Sequence, residues 1–153
     1  MSREKEEKQA LSQPQVKIIN QFIKDLSFEN IAAQKGLTSE TVSPEIKVSV
    51  NLEAKKRPVE NHYDVIIKTN ISSETKSSKE MLFILEIYYG GIFQITNIPD
   101  DQLHPYLLIE CPRILFPYLR RIISDITRDG GYPPINLDQI DFLSMYKAEL
   151  NKR

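Results

Sequence analysis

Cys111 and His104 are the residues of this chain whose types and spacing could support covalent chemistry. The cysteine lies near the start of a predicted helix, where the helix dipole can lower the pKa of a thiol and favour the nucleophilic thiolate. His104 precedes it and could serve as the base, although nucleophilic catalysis also needs an oxyanion site. Two interpretations follow: a small cysteine-dependent hydrolase or transferase, or a small buried residue without chemistry.

Other motifs that could carry chemistry have simpler structural interpretations. His62 and His104 belong to no Cys, His, Asp or Glu cluster with metal-ligand spacing, so we predict no metal site and no cofactor. The glycine pair at 90–91 lacks a phosphate-binding pattern and indicates a bend or a close backbone approach. The basic run at 55–57 is short and indicates a solvated strand end rather than a nucleic-acid patch.

The composition indicates one globular domain without attraction to polyanions. A chain of 153 residues with 41% hydrophobic content can bury one core, and its net charge of -1 favours neither nucleic acid nor an anionic membrane. The N-terminus, MSREKEEKQA, is too charged for a secretory signal, and Glu86 interrupts the longest apolar run. We therefore expect a cytoplasmic protein that does not insert directly into membranes.

Four strands are predicted before the helical segment that contains His104 and Cys111. Period-2 alternation places the first three at residues 16–29, 44–54 and 63–71, and a continuous apolar run places the fourth at 81–97. The fourth is apolar on both faces, which is typical of a strand that is covered on two sides or contacts a partner. In the first strand, one half-buried face is expected to carry the apolar residues at even positions, Val16, Ile18, Phe22, Leu26 and Phe28.

The predicted helices follow the strands. A short helix after Pro99 leads into a long one that Gly130 and Gly131 end, and whose residues from Ile114 to Ile126 place their apolar side chains on one half of the helical wheel. The last helix, QIDFLSMYKAEL, is predicted to begin at an Asp138 cap, and its apolar residues spread too widely for a single stripe.

Together these elements predict an α+β protein with a four-stranded antiparallel sheet followed by C-terminal helices packed on one face. A single domain is expected over residues 14–150, after a disordered charged arm at 1–13 and before a short tail at 151–153. Residues 30–43 lack alternation and are predicted to form a crossing loop.

Acidic residues share one face of the predicted sheet. Asp25 and Glu29 have an even spacing in the first strand, as do Ile84 and Glu86 in the fourth. A solvated sheet face is one interpretation, and an acidic docking surface for a basic partner is the other.

The run ECPRILFPYLRRIISDITRDGGYPPINL, with GGIF at 90–93 and FIKDLSFE at 22–29, closely resembles the SecB family of bacterial protein-export chaperones. The similarity is collinear from about Val16 to Leu150, and CPxxLFPY is its most specific part. The resemblance implies an ATP-independent holdase, not an enzyme. Such a chaperone keeps unfolded preproteins export-competent in apolar grooves and delivers them to SecA. It also implies a homotetramer, built as a dimer of dimers with the long helix between the dimers.

By position, the resemblance implies three surfaces. Client peptides would bind at Ile46, Val48, Val50, Ile135, Phe142, Met145, Tyr146 and Leu150. SecA would dock at Asp25, Glu29, Ile84 and Glu86. The oligomer interface would be the apolar half of the long helix, namely Ile114, Leu115, Tyr118, Leu119, Ile122, Ile123 and Ile126.

Two segments depart from the family pattern. The crossing loop at 30–43 has none of the prolines and large aromatic residues that help to line the groove in typical members, and the C-terminus, KAELNKR, lacks the acidic tail of some members. The match to the family therefore does not extend to client contacts at the loop, and the second SecA contact is either missing or supplied by another part of the chain.

Overall fold

A four-stranded antiparallel sheet forms one layer of the protein, and the long helical region packs on one of its faces. The computed structural model describes residues 2–4, 13–36 and 44–152. The order across the sheet, β1-β4-β3-β2, makes β1 and β2 the edge strands. The predicted α+β class is confirmed. The strands are β1 (Gln15–Glu29), β2 (Pro44–Lys56), β3 (His62–Thr75) and β4 (Met81–Thr96).

Helical structure follows the sheet and runs without interruption from Asp100 to Asp129. Its elements are α2 (Asp100–Pro105), a π-helical segment (Tyr106–Glu110), α3 (Cys111–Asp129) and, after a non-helical stretch, α4 (Phe142–Asn151). No helix in the described part of the chain has the length and apolarity that crossing a membrane requires.

A short helix, α1 (Ile31–Gln34), directly follows β1. The side chain of Asn30 caps it by accepting a hydrogen bond from the Ala33 amide at 3.1 Å. The prediction of a loop throughout 30–43 is therefore wrong at its start, because this cap allows one helical turn. Residues 37–43 of the predicted loop, and most of the predicted arm at 1–13, lie outside the described residues.

The core lies between α3 and the inner face of β3 and β4. Leu115, Leu119 and Ile123 recur every four residues along α3, face the sheet and are fully buried. Fully burying each such side chain contributes roughly 1.5–3 kcal/mol. Opposite them, the sheet presents fully buried side chains at alternating positions, among them Val65, Ile67, Leu85, Ile87 and Phe93.

The edge strand β1 departs from the predicted alternation. Its register against β4 shifts between Ile18 and Asn20 and again between Ile23 and Asp25. Each extra residue turns the side chains that follow it, so a single even-numbered face does not persist along the strand. Phe22, which lies between the two shifts, pairs with Gly90 and faces outward, so the prediction that it shares one face with Ile18 and Leu26 is wrong. Ile18 and Leu26 pair with the inward-facing Phe93 and Ile87, yet they are 40% and 42% exposed in this edge strand.

The glycine pair lets neighbouring side chains approach the backbone of β4 closely. A Cβ atom on Gly90 would lie 3.0 Å from the Ile66 side chain, and one on Gly91 would lie 3.1 Å from that of Leu115. The β3–β4 register runs through both glycines without a shift, so side chains approach both glycines closely and no bulge interrupts the β3–β4 ladder there.

Helix α4 begins later than predicted. Its N-cap is Asp141, whose carboxylate accepts a hydrogen bond from the Ser144 amide at 3.0 Å, and Phe142 is its first residue. The predicted cap at Asp138 is therefore wrong, since the residues between Pro133 and Asp141 belong to no helix. Asp141 satisfies the free amide of the first turn and fixes the helix start three residues further along.

Candidate binding surfaces

The thiol of Cys111 is not placed for catalysis. Its side chain is fully buried, and burial, followed by the nearby Glu110 carboxylate, raises the pKa of the thiol to about 12. Helical structure begins well before Cys111, and the Cys111 amide donates a hydrogen bond to the Tyr106 carbonyl. No free helix N-terminus therefore lowers the pKa, and the alternative of a cysteine-dependent hydrolase or transferase is not supported.

A groove lies between β2, α4 and the helical segment that precedes α3. It encloses about 320 Å³, and its wall is more apolar than polar. Ten residues line it: Val50, Asn51, Leu52, His104, Leu108, Met145, Tyr146, Ala148, Glu149 and Leu150. Such a concave and mainly apolar surface can accept aliphatic or aromatic side chains.

The structure divides the residues that were predicted to bind client peptides. Val50, Met145, Tyr146 and Leu150 line the groove. Ile46 and Val48 lie further along β2 on the same side as Val50 and are 43% and 44% exposed, so they extend the apolar surface beyond the groove.

Two of the predicted client-binding residues do not line the groove. Ile135 is half-buried against the core. Phe142 is 1% exposed and packs edge-on against Phe116 with ring centroids 6.1 Å apart. Its position indicates that Phe142 anchors α4 to the core.

Sequence reasoning missed His104, Leu52 and Leu108 as groove residues. The alternation of β2 already placed Leu52 on the same face as Val50, and the four-residue spacing of His104 and Leu108 is that of neighbours on a helix. No sequence signal joined these segments to α4, because the three meet only through the tertiary fold.

Thr69 lies behind the groove, opposite Val50 in the β2–β3 ladder. It is fully buried, and within the described residues its hydroxyl is the one buried side-chain polar atom without a hydrogen-bond partner. An unsatisfied buried hydroxyl destabilises the fold. The sheet beneath the groove therefore contains a defect, since the surrounding apolar side chains cannot form a hydrogen bond with this hydroxyl.

The edge of β2 beside the groove is open. In the part of the chain that the structure describes, β2 pairs with β3 alone. The amide and carbonyl groups on its other side can therefore accept an extended peptide as an additional strand.

The predicted acidic residues meet on the outer face of the sheet. Glu29 pairs with Ile84 in the β1–β4 register, and Ser27 pairs with Glu86. Asp25 pairs with Tyr88, the next outward residue after Glu86. Ile84 is 39% exposed. We call Asp25, Glu29, Ile84 and Glu86 the acidic surface.

Tyr88 and Lys68 border the acidic surface. The Tyr88 hydroxyl donates a hydrogen bond to the Glu86 carboxylate at 2.8 Å, and this bond raises the pKa of the tyrosine. The Lys68 ammonium lies 5.3 Å from the Tyr88 ring centroid and forms an ion pair with Glu53 at 2.9 Å. The Lys68 ammonium is therefore paired with Glu53 and not with a carboxylate of the acidic surface.

The apolar half of α3 divides into buried and accessible residues. Leu115, Leu119 and Ile123 are 0% exposed and belong to the core of this subunit, so a second copy cannot contact them directly. Tyr118 is 48% exposed. The predicted interface positions that remain accessible are Tyr118 and the half-buried Ile114, Ile122 and Ile126.

Within the described ranges, no three His, Cys, Asp or Glu residues cluster in a way that could hold a metal ion.

Comparison with known proteins gives one family. The family model described as "Preprotein translocase subunit SecB" matches residues 9–153. The protein-export protein SecB of Dinoroseobacter shibae is 60% identical over 140 residues, which are 92% of this chain and 81% of the relative. That of Ruegeria sp. (strain TM1040) is 61% identical over 143 residues, covering 92% of this chain and 87% of the relative.

A solved structure shares the fold. The Mycobacterium tuberculosis Rv1957 SecB-like chaperone, in complex with a ChAD peptide from the Rv1956 HigA1 antitoxin, superposes with a TM-score of 0.65. The match covers 82% of this chain and 90% of the other at 14% identity, so it supports the architecture alone.

Proposed function

This chain belongs to the SecB family, and from that membership we propose that it is an ATP-independent holdase that binds unfolded precursor proteins, keeps them export-competent and delivers them to SecA. It acts in the cytoplasm and catalyses no reaction. Binding an unfolded chain withdraws it from the folding equilibrium, so the chaperone delays folding by mass action.

The groove beside the open edge of β2 is the observation that carries this proposal. Backbone groups along β2 can pair with any extended chain, while Val50, Met145 and Leu150 offer it an adaptable apolar wall. Methionine is unbranched and flexible, so the wall can fit side chains of several shapes. Recognition of this kind reads apolar composition rather than one sequence, as a holdase requires.

The proposal is tested by the refolding of a slow-folding precursor in the presence of excess chaperone. We expect retardation that grows with the molar ratio. Leu150→Glu places a charge in the groove and should weaken the retardation. Val59→Glu is the matched control, because Val59 is also an exposed apolar residue, 56% against 49%, but lies in the turn between β2 and β3. Refolding at the uninhibited rate at every ratio of wild-type protein would exclude the holdase function.

We propose that the acidic surface is the SecA docking site. Three carboxylates around the exposed side chain of Ile84 offer a negative field with an apolar centre, which suits a basic partner segment. Asp25 uses one carboxylate oxygen to accept a hydrogen bond from the Leu26 amide at 2.9 Å, and this bond orients its side chain.

We also propose that the protein is a homotetramer, a dimer of dimers with α3 between the dimers. Tyr118 on α3 and the exposed isoleucines of β1, Ile18, Ile19 and Ile23, leave apolar surface uncovered in a single subunit. A second copy would remove this surface from water.

A further inference from the structure

Helix α4 is attached to the body of the subunit along one face near its N-terminal end. Phe142 is its buried anchor, packed against Phe116. Tyr146, one turn later, packs its ring against His104 with centroids 5.6 Å apart, and its hydroxyl lies 3.2 Å from His104 Nδ1. Beyond Tyr146 every residue of α4 is exposed.

The two walls of the groove differ in how firmly they are held. Val50 and Leu52 belong to β2, whose pairing with β3 runs without a register shift over its whole length. Glu149 and Leu150 belong to the exposed half of α4, which extends past the contact between Tyr146 and His104. The position of that half relative to β2 therefore depends on this contact, together with the packing of Met145 and Tyr146 against the core.

We propose that His104 and Tyr146 form a clamp that sets the width of the groove and thereby the size of the client side chain that enters it. The inference rests on the proposed holdase function and names the residues that decide its specificity. Both are positioning residues, although both also line the groove.

The strength of the clamp suits this role. A ring contact and one hydrogen bond at an exposed site are individually weak, so the clamp can open when a large client side chain replaces the Tyr146 ring as the partner of His104. With the clamp closed, the groove is preorganised for smaller aliphatic side chains.

The test uses the full chain and two short unstructured peptides of equal charge that differ only in carrying Val or Trp at their apolar positions. The variants are Tyr146→Phe, which removes the hydroxyl and keeps the ring, and His104→Ala. Tyr132→Phe is the control, because its hydroxyl bonds Asn30 and the Leu82 carbonyl, away from the groove. The readout is the ratio of the two dissociation constants.

Releasing the clamp should shift this ratio about threefold to fivefold toward the Trp peptide in either variant, with no further shift in the double variant. Tyr132→Phe should leave the ratio unchanged. If His104 and Tyr146 had a purely structural role, both variants would weaken the binding of the two peptides equally. A constant ratio in both clamp variants would therefore overturn the clamp proposal and leave the proposed holdase function intact. Failure of the wild-type protein to bind either peptide or a reduced, permanently unfolded protein would overturn the proposed function and the clamp with it.

Discussion

Cys111 should resist alkylation in the folded protein. With its pKa raised to about 12, roughly one thiol in ten thousand is ionised at pH 8, whereas about a quarter of ordinary thiols with a pKa near 8.5 are ionised. Ionisation alone therefore slows the reaction about two-thousandfold. The side chain is also 0% exposed, so the reagent reaches it only after local or global opening.

The assay compares iodoacetamide labelling at pH 8 in buffer and in guanidinium chloride, read by mass spectrometry. We expect complete labelling of the denatured chain while the native protein stays unmodified. Labelling of native Cys111 at a rate within about tenfold of the denatured rate would refute the burial argument and would restore the cysteine as a candidate nucleophile.

The same burial makes stability depend on alkaline pH. Because the folded-state pKa lies above that of the unfolded chain, the unfolded chain releases this proton first as the pH rises. The contribution is complete below about pH 8.5 and is lost as the pH rises toward 12, up to about 5 kcal/mol. The free energy of unfolding of wild type should therefore fall relative to that of Cys111→Ala across this range.

Three further predictions concern the acidic surface, the interface and the defect beneath the groove. Reversing Asp25 and Glu86 to Lys should weaken SecA binding by at least tenfold at low salt while peptide binding persists, and unchanged SecA affinity would remove both residues from docking. Tyr118→Glu, which adds a charge at an accessible position of α3, should yield dimers rather than tetramers in sedimentation at micromolar concentration. A wild-type protein that sediments only as a monomer would contradict the assembly. Thr69→Val replaces the unsatisfied hydroxyl with a methyl group of similar shape and should raise the free energy of unfolding by about 1 kcal/mol, measured by urea denaturation. Lower stability than wild type would show that the hydroxyl has a partner.

Alternation predicted the sheet well wherever a strand has one covered face and regular pairing. In β2 the apolar residues from Ile46 to Ala54 remain on one face because its register is unbroken. In β1 the same reasoning fails at Phe22, since a bulge depends on how a strand pairs with its neighbour and leaves no mark in the strand's own periodicity.

Helical periodicity predicted which half of α3 is apolar but not what each residue contacts. Leu119 and Tyr118 both belong to that half, yet one is fully buried in the subunit and the other is about half exposed. A helical wheel cannot show this difference because it does not include the position of the sheet relative to the helix. The groove could not be predicted from the sequence for a related reason, since His104 and Tyr146 come into contact only after α2 and α4 have packed.

The paired glycines also constrain how this sequence can change over time. On the inner face Phe93 and Leu115 leave no room for a side chain at Gly91, and on the outer face Ile66 and Phe22 leave none at Gly90. A Cβ atom at 91 would lie 3.0 Å from the Phe93 ring and 3.1 Å from Leu115, so a smaller residue at 115 would relieve only the contact with α3. A side chain at 91 should therefore become acceptable only after changes both within β4 and in the helix that packs on it.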